Sequence, residues 1–176
     1  NKRSIDFVLT DPPYPDAMTE EYLYHDGIID FLKQIQCRQM IFWTAKEVFP
    51  LDYTAIHIWD KITGAACAYE RIFERNGGKR YKIYRGHRIN STVSAQFAKD
   101  TFENHPSQKP LALIRKIILE YTKEGDTIFD PFMGSGTSAV ACHKEGRNFI
   151  GCEIDKGYYD AGVKRYNDAI KQLKML

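Results

Sequence analysis

Ser4-Ile5-Asp6-Phe7-Val8-Leu9-Thr10-Asp11-Pro12-Pro13-Tyr14 is a short apolar run that stops at an acid, two prolines and an aromatic residue. Ile5 to Leu9, apolar but for Asp6, reads as a strand buried on both faces, as in a parallel sheet. Proline has no N–H for a sheet ladder, so Pro12 and Pro13 force the chain out of the sheet. Each also pushes the residue before it toward extended geometry. The expected product is a stiff loop at the carboxyl end of a strand, where open α/β sheets bind their ligands. Asp11 brings carboxylate oxygens, Pro12 a carbonyl without a ladder partner, and Tyr14 a flat face. Two acceptors beside an aromatic plate suit a planar ring that carries an exocyclic amino group. Taken alone, Asp-Pro-Pro is equally ordinary turn chemistry.

A second stretch shifts that balance. Thr127-Ile128-Phe129-Asp130-Pro131-Phe132-Met133-Gly134-Ser135-Gly136-Thr137 reads as strand, acid and tight glycine turn, with a helix following. Asn148-Phe149-Ile150-Gly151-Cys152-Glu153-Ile154-Asp155 then reads as a second strand ending in acids. Glycines at 134 and 136 let a ligand approach the backbone, and Phe132 and Met133 would wall the pocket. An acid after the next strand, Glu153, can accept both hydroxyls of a ribose. The pattern describes a nucleoside cofactor site. No lysine follows Gly136, so the turn is not a phosphate-binding P-loop, and the glycine spacing does not fit a dinucleotide fold.

Together with His105-Pro106-Ser107-Gln108-Lys109-Pro110, these motifs resemble those of the S-adenosylmethionine-dependent DNA amino-methyltransferases, which make N6-methyladenine or N4-methylcytosine. The catalytic loop comes first and the cofactor loop last, as in the permuted beta group. The resemblance spans nearly the whole chain and is weakest from about Ile62 to Phe102. It implies a Rossmann-like α/β domain over residues 1–176, with a short target-recognition insert at about 62–102. It implies Asp11, Pro12, Pro13 and Tyr14 as the catalytic loop, gripping a base flipped out of DNA. The aspartate form of the loop points to N6 of adenine; N4 of cytosine, or a DNA-binding relative that has lost catalysis, are the alternatives. It implies S-adenosylmethionine as cofactor, with Asp130 and Pro131 near its methionine end and Ser135 and Thr137 in the same turn. It also supplies Glu70 as a candidate acid facing the cleft. In the family a strand and turn that help enclose the cofactor adenine precede the first motif, so an N-terminal part is expected to be missing from the 176 residues.

Hydrophobic residues at 43% and charged residues at 27% are ordinary for a globular domain. The net charge of +2 does not by itself announce a nucleic-acid binder. Four cysteines, at 37, 67, 142 and 152, form no C-x-x-C pair and read as reduced thiols, not metal ligands. No metal is expected. With no apolar run of membrane length and no signal peptide, the expected setting is the cytoplasm of a bacterium, host-encoded or phage-encoded. The expected partner is double-stranded DNA, with no membrane, and a homodimer is compatible with the chain.

Between the motifs, Thr19-Glu20-Glu21 is a fair helix start, and Ile28, Phe31, Leu32 and Ile35 give the apolar face of a helix ending near Gln36. Pro15 to Gly27 is either a flap over the target pocket or a plain connection. Strands are expected at 39–44, 54–59 and 67–74, the last toward an edge. His57, inside an apolar run, reads as a core histidine. From Arg71 to Arg88 basic and aromatic residues interleave around Asn76-Gly77-Gly78, a turn signal between two short strands. Arg75, Lys79, Arg80, Lys82, Arg85 and Arg88 are the expected DNA contacts. Ser107, Gln108 and Lys109 lead into a helix that opens at Pro110, where free amides can hold an anion such as the cofactor carboxylate. Helices are expected from Pro110 to near Tyr121, Thr137 to Lys144 and Lys156 to Leu173, the last capped by Asp155. Lys164, Arg165, Lys171 and Lys174 read as its solvated surface. The whole is a mostly parallel sheet with helices on both faces and an antiparallel edge hairpin.

Overall fold

The computed structural model describes residues 4–13, 25–62, 68–86 and 108–173. Along the chain these form β1 (Phe7–Thr10), α1 (His25–Gln34), β2 (Arg38–Trp43), β3 (Ala55–Asp60), β4 (Tyr69–Arg75), β5 (Ile83–Arg85), α2 (Leu111–Tyr121), β6 (Thr127–Asp130), α3 (Thr137–Lys144), β7 (Asn148–Gly151) and α4 (Lys156–Leu173). The strands make one sheet in the order β5-β3-β4-β2-β1-β6-β7. β1 pairs in parallel with β2 and β6, and β6 with β7. β4 is antiparallel to both β2 and β3, while β5 is parallel to β3. Six strands therefore point one way and β4 alone runs back.

That single reversal corrects two expectations. β4 lies inside the sheet, not toward its edge, and it is its pairing with β3 that supplies the antiparallel hairpin. The turn at Asn76 to Gly78 does follow β4, with Asn76 in the left-handed region (φ 53°). It does not fold β5 back onto β4; β5 crosses over to extend the sheet beyond β3.

The sheet is covered on both faces because its strands alternate between two apolar cores. Phe7 and Leu9 of β1 join Met40, Phe42, Ile72 and Ile128 beneath Leu113, Ile114, Ile117 and Ile118 of α2 and Val140 of α3. Val8, between them in sequence, points the other way and joins Ile41, Trp43, Phe73 and Phe129 under Ile29 and Leu32 of α1. A period of two in a strand produces this division directly. Burial of so many large side chains is the main favourable term in folding. His57 sits in the core as expected, its Nε2 2.9 Å from Glu74 Oε2.

The consequence for function is one of polarity. β1, β2, β6 and β7 deliver their carboxyl ends to the same side, and β4 delivers its amino end there. β2 is reached from β1 on one flank and β6 lies on the other, so the chain reverses its direction of progress across the sheet between β1 and β6. Ligand clefts form at such a point. Among the described residues no helix is long and apolar enough to cross a membrane.

Candidate active site

A cleft of about 620 Å³ opens at that point. Asp11, Pro12 and Pro13 from the end of β1 line it on one side, and Asp130, Phe132, Met133 and Gly134 from the end of β6 on the other. Glu153 and Ile154, just past β7, and Glu70, at the start of β4, complete it. The two motif loops thus face one another across one cavity. Tyr14 and Ser107, assigned to the catalytic loop and the cofactor site, lie outside the described residues, as does the segment 14–24 that contains most of the expected flap.

The acids at the strand ends have distinct surroundings. Asp130 is buried. Its Oδ1 accepts bonds from Thr10 Oγ1 (2.8 Å) and the Phe132 amide (3.1 Å), and its Oδ2 accepts one from Ser138 Oγ (2.5 Å). Burial pushes its pKa from the usual 3.8 up to about 6, and the hydrogen bonds only partly oppose this. Asp130 therefore ties the end of β6 to β1 and α3. Glu153 holds the glycine turn: Oε2 accepts the Gly134 amide at 2.9 Å and Oε1 the Asp155 amide at 3.0 Å. Each carboxylate oxygen has two lone pairs, so these bonds leave Glu153 capacity for two hydroxyls. Beside it Ile154 presents an apolar side chain that is 78% exposed. Asp155 caps α4 as expected, accepting the Tyr158 amide at 2.8 Å.

Lys109 stands in an unexpected place. Its ammonium bonds Asp11 Oδ2 and lies 3.3 Å from Glu70 Oε2, an ion contact without hydrogen-bond alignment. Burial acts to lower the lysine pKa, but the Asp11 and Glu70 carboxylates outweigh it and leave it above the usual value. Burial likewise acts to raise Glu70, and Lys109 and Lys61 together hold it below the usual range. Gln108 is also buried in the cleft wall. Lys109, expected near the cofactor's carboxylate, lines the cleft with its ammonium on Asp11 of the expected catalytic loop.

The glycine turn has a second correction. Gly134 and Ser135 line the cleft, but Gly136 does not. With φ 72°, a Cβ at Gly136 would stand 3.0 Å from the carbonyl oxygen of Gly162 in α4. Its bareness serves helix packing, not ligand approach. Arg165, one turn beyond Gly162, is no solvated surface residue: it donates to Thr137 Oγ1 at 2.8 Å and to the Ser135 carbonyl at 3.2 Å, bracing the turn. The sequence signal was a glycine in the middle of a helix, where it costs about 1 kcal/mol unless packing requires it.

The basic segment is divided by strand direction. Arg75 cannot serve as a phosphate contact. Its side chain is 5% exposed, ion-paired to Asp52 at 2.9 Å and bonded to the Leu32 and Asp52 carbonyls. Because β4 runs back, Arg75 and the following Lys79 and Arg80 lie at the end of the sheet away from the cleft. Lys82 is paired with Glu120 of α2. Arg85, at the far end of β5 beside Asp60 (3.5 Å), is on the cleft end and 74% exposed. Arg88 lies outside the described residues.

Comparison with known proteins agrees with this geometry. The family model described as DNA methylase, the N6/N4 methyltransferases, matches residues 36–164. The chain is 43% identical over 74 residues to the DNA adenine methyltransferase YhdJ of Escherichia coli (strain K12), covering 42% of this chain and 25% of that protein. It is 41% identical over 97 residues to the type II methyltransferase M2.DpnII of Streptococcus pneumoniae, covering 55% and 34%. The match thus spans only a quarter to about a third of the length of these relatives. In fold it is similar to the M1.HpyAVI–SAM complex (TM-score 0.64, 24% identity, 93% of this chain and 89% of that one). It is also similar to the cytosine-N4-specific PvuII DNA methyltransferase (TM-score 0.68, 15% identity, 93% and 80%). With the family model covering most of its length, the protein belongs to the N6/N4 DNA methylase family.

Proposed function

We propose that the protein transfers a methyl group from S-adenosylmethionine to the exocyclic amine of a base flipped out of double-stranded DNA, and that the base is adenine, modified at N6. The observation that carries this reading is the shared cleft: Asp11 and the Gly134 turn open onto the same cavity. Its volume suits a nucleoside and a base together.

The residues fit the cofactor chemically. Glu153 has acceptor capacity for a ribose diol, Ile154 and Tyr158 offer apolar surface for an adenine ring, and Phe132 and Met133 wall the remainder. When bound, S-adenosylmethionine supplies a methyl group on a sulfonium that leaves as a neutral thioether. Asp11 and the Pro12 carbonyl hold the two N–H bonds of the target amine, which turns the nitrogen lone pair out of the ring plane. Positioning and electrostatics, not early proton removal, lower the barrier. Once the nitrogen–carbon bond has formed, the surplus proton leaves along the hydrogen bond to Asp11. Phe42 and Trp59 add aromatic surface to the floor of the cleft. The similarity to YhdJ, a DNA adenine methyltransferase, supports the choice of base. Such an enzyme works where the genome is, in the bacterial cytoplasm.

The test is to incubate the full-length protein with duplex DNA and methyl-labelled S-adenosylmethionine, digest the DNA and identify the labelled nucleoside. Label on N6-methyladenine is expected. Label on N4-methylcytosine overturns the base. DNA binding without transfer favours the inactive relative, and affinity for a nicotinamide dinucleotide in place of S-adenosylmethionine overturns the reading entirely.

A further inference from the structure

Four charged side chains make a continuous chain that ends at the cleft, which Glu70, Lys109 and Asp11 line. Lys61, just past β3, lies 2.7 Å from Glu70 Oε1. Glu70 Oε2 lies 3.3 Å from Lys109, and Lys109 bonds Asp11. The Lys61 and Lys109 side chains are 5% and 9% exposed, Glu70 16%, and Asp11, where the chain meets the cavity, 23%. Both ammoniums also sit over aromatic rings, Lys61 at 5.2 Å from the Trp59 centroid and Lys109 at 5.1 Å from that of Phe42. Charges alternate in sign and sum to zero. Two buried ammoniums held by two half-buried carboxylates are a poor way to stabilise a fold, because desolvation consumes most of what their attraction returns. Their placement at the reacting carboxylate indicates another use.

We propose that Glu70 is a positioning residue for methyl transfer: it shares the Lys109 ammonium with Asp11 and so holds the Asp11 carboxylate at a fixed orientation and charge density facing the target amine. This role rests on the reading of the site as a methyltransferase cleft. Without Glu70 the whole charge of Lys109 falls on Asp11. The carboxylate is then drawn into a closed pair, and its remaining lone pairs accept the amine hydrogens less strongly. Glu70 reaches this position only because β4 runs against its neighbours, which brings the start of the strand to the cleft. Two charged groups face Lys109: Asp11, just past β1, and Glu70, at the start of β4. Asp130, at the end of β6, lies behind Asp11, and Lys61, just past β3, pairs with the other oxygen of Glu70.

The test compares full-length wild type with Glu70→Gln and Glu70→Asp, using duplex DNA and labelled S-adenosylmethionine. For Glu70→Gln the expected result is a fall in kcat of about tenfold or more, with KM for S-adenosylmethionine within about twofold. The pH profile should also move. Removing one of two carboxylates that favour the Lys109 ammonium leaves burial to act against it, so the alkaline loss of kcat begins at lower pH than in wild type. Carbon-13 NMR of the lysine side chains reads the same titration without activity. Glu70→Asp keeps the charge with a shorter reach and should recover part of the rate; if Glu70→Gln does not fold, Glu70→Asp carries the comparison with a drop of about threefold. A kcat and alkaline limb indifferent to Glu70→Gln overturn the positioning role alone. Absence of transfer by wild type overturns the methyltransferase reading and this role with it.

Discussion

Neighbouring strands β1 and β6 run into the same dipeptide, Asp11-Pro12 just past β1 and Asp130-Pro131 at the end of β6, and the two do different things. Proline acts alike in both, breaking the ladder and turning the chain out of the sheet. The difference lies in what reaches each carboxylate. Asp11 bonds the Lys109 ammonium, which it shares with Glu70, and stays partly open to the cavity. Asp130 meets two hydroxyls and an amide, closed off from water, and these dipoles compensate its burial incompletely, so it takes up a proton near pH 6. An Asp-Pro strand end is thus a generic device. Its partners decide whether the acid opens onto the cleft or fastens the sheet.

The sharpest way to break this contrast is Asp11→Ala. If Asp11 is the group that faces the amine, transfer should fall by roughly 10³-fold while calorimetric affinity for S-adenosylmethionine changes less than about twofold. The fold should survive, because Lys109 keeps Glu70 as a counter-ion. Transfer retained at a tenth of the wild-type rate or more would discard the catalytic half of the comparison.

Asp130 should respond the opposite way, in stability first. Asp130→Ala leaves two hydroxyls and an amide without their acceptor and should destabilise the fold by about 2–3 kcal/mol in urea unfolding. The pH dependence is more specific. A carboxyl whose folded pKa lies above its unfolded one contributes stability below the unfolded value and loses it as pH rises through the folded value. For Asp130 the window runs from 3.8 to about 6. A displacement of that size amounts to roughly 3 kcal/mol across the window. Asp130→Asn cannot titrate, so it should remove that part of the slope. An unchanged slope in the variant would assign it to another group.

How much of this was legible in the sequence follows from how local each signal is. Pro12, Pro13 and Pro131 mark strand ends by their own chemistry, and the acids beside them are read with no knowledge of the fold. The alternation of Phe7, Val8 and Leu9 in a run buried on both faces was equally readable. The pairing of Lys109 with Asp11 and Glu70 was not, because it depends on strand order and on one strand running backwards. Arg75 was misread for the same reason. A strand turned end for end carries its basic tail to the other side of the sheet. In the strand Arg75 alternates with Phe73 and so shares the face that buries that ring. Gly136 failed differently: a bare backbone admits either a ligand or another helix, and only the position of Gly162 decides between them.

The smallest expected effect tests the bond that joins the two strand ends. Thr10 directly precedes Asp11 and donates to Asp130 at 2.8 Å, so it belongs to both. Thr10→Val keeps the β-branched shape and removes only the hydroxyl. Asp130 then loses one of three donors that favour its charged form, and its pKa should rise further above the usual carboxylate range. The destabilisation at pH 7 should be about 1–2 kcal/mol, shrinking as pH falls below 6 and Asp130 becomes protonated in both proteins. Transfer should drop by only about threefold, since Asp11 keeps Lys109 and shifts slightly on its stiff proline loop. A variant with unaltered stability and slope would mean that β1 and β6 are held in register by their ladder alone. The contrast between the two acids would then be one of position, with no coupling between them.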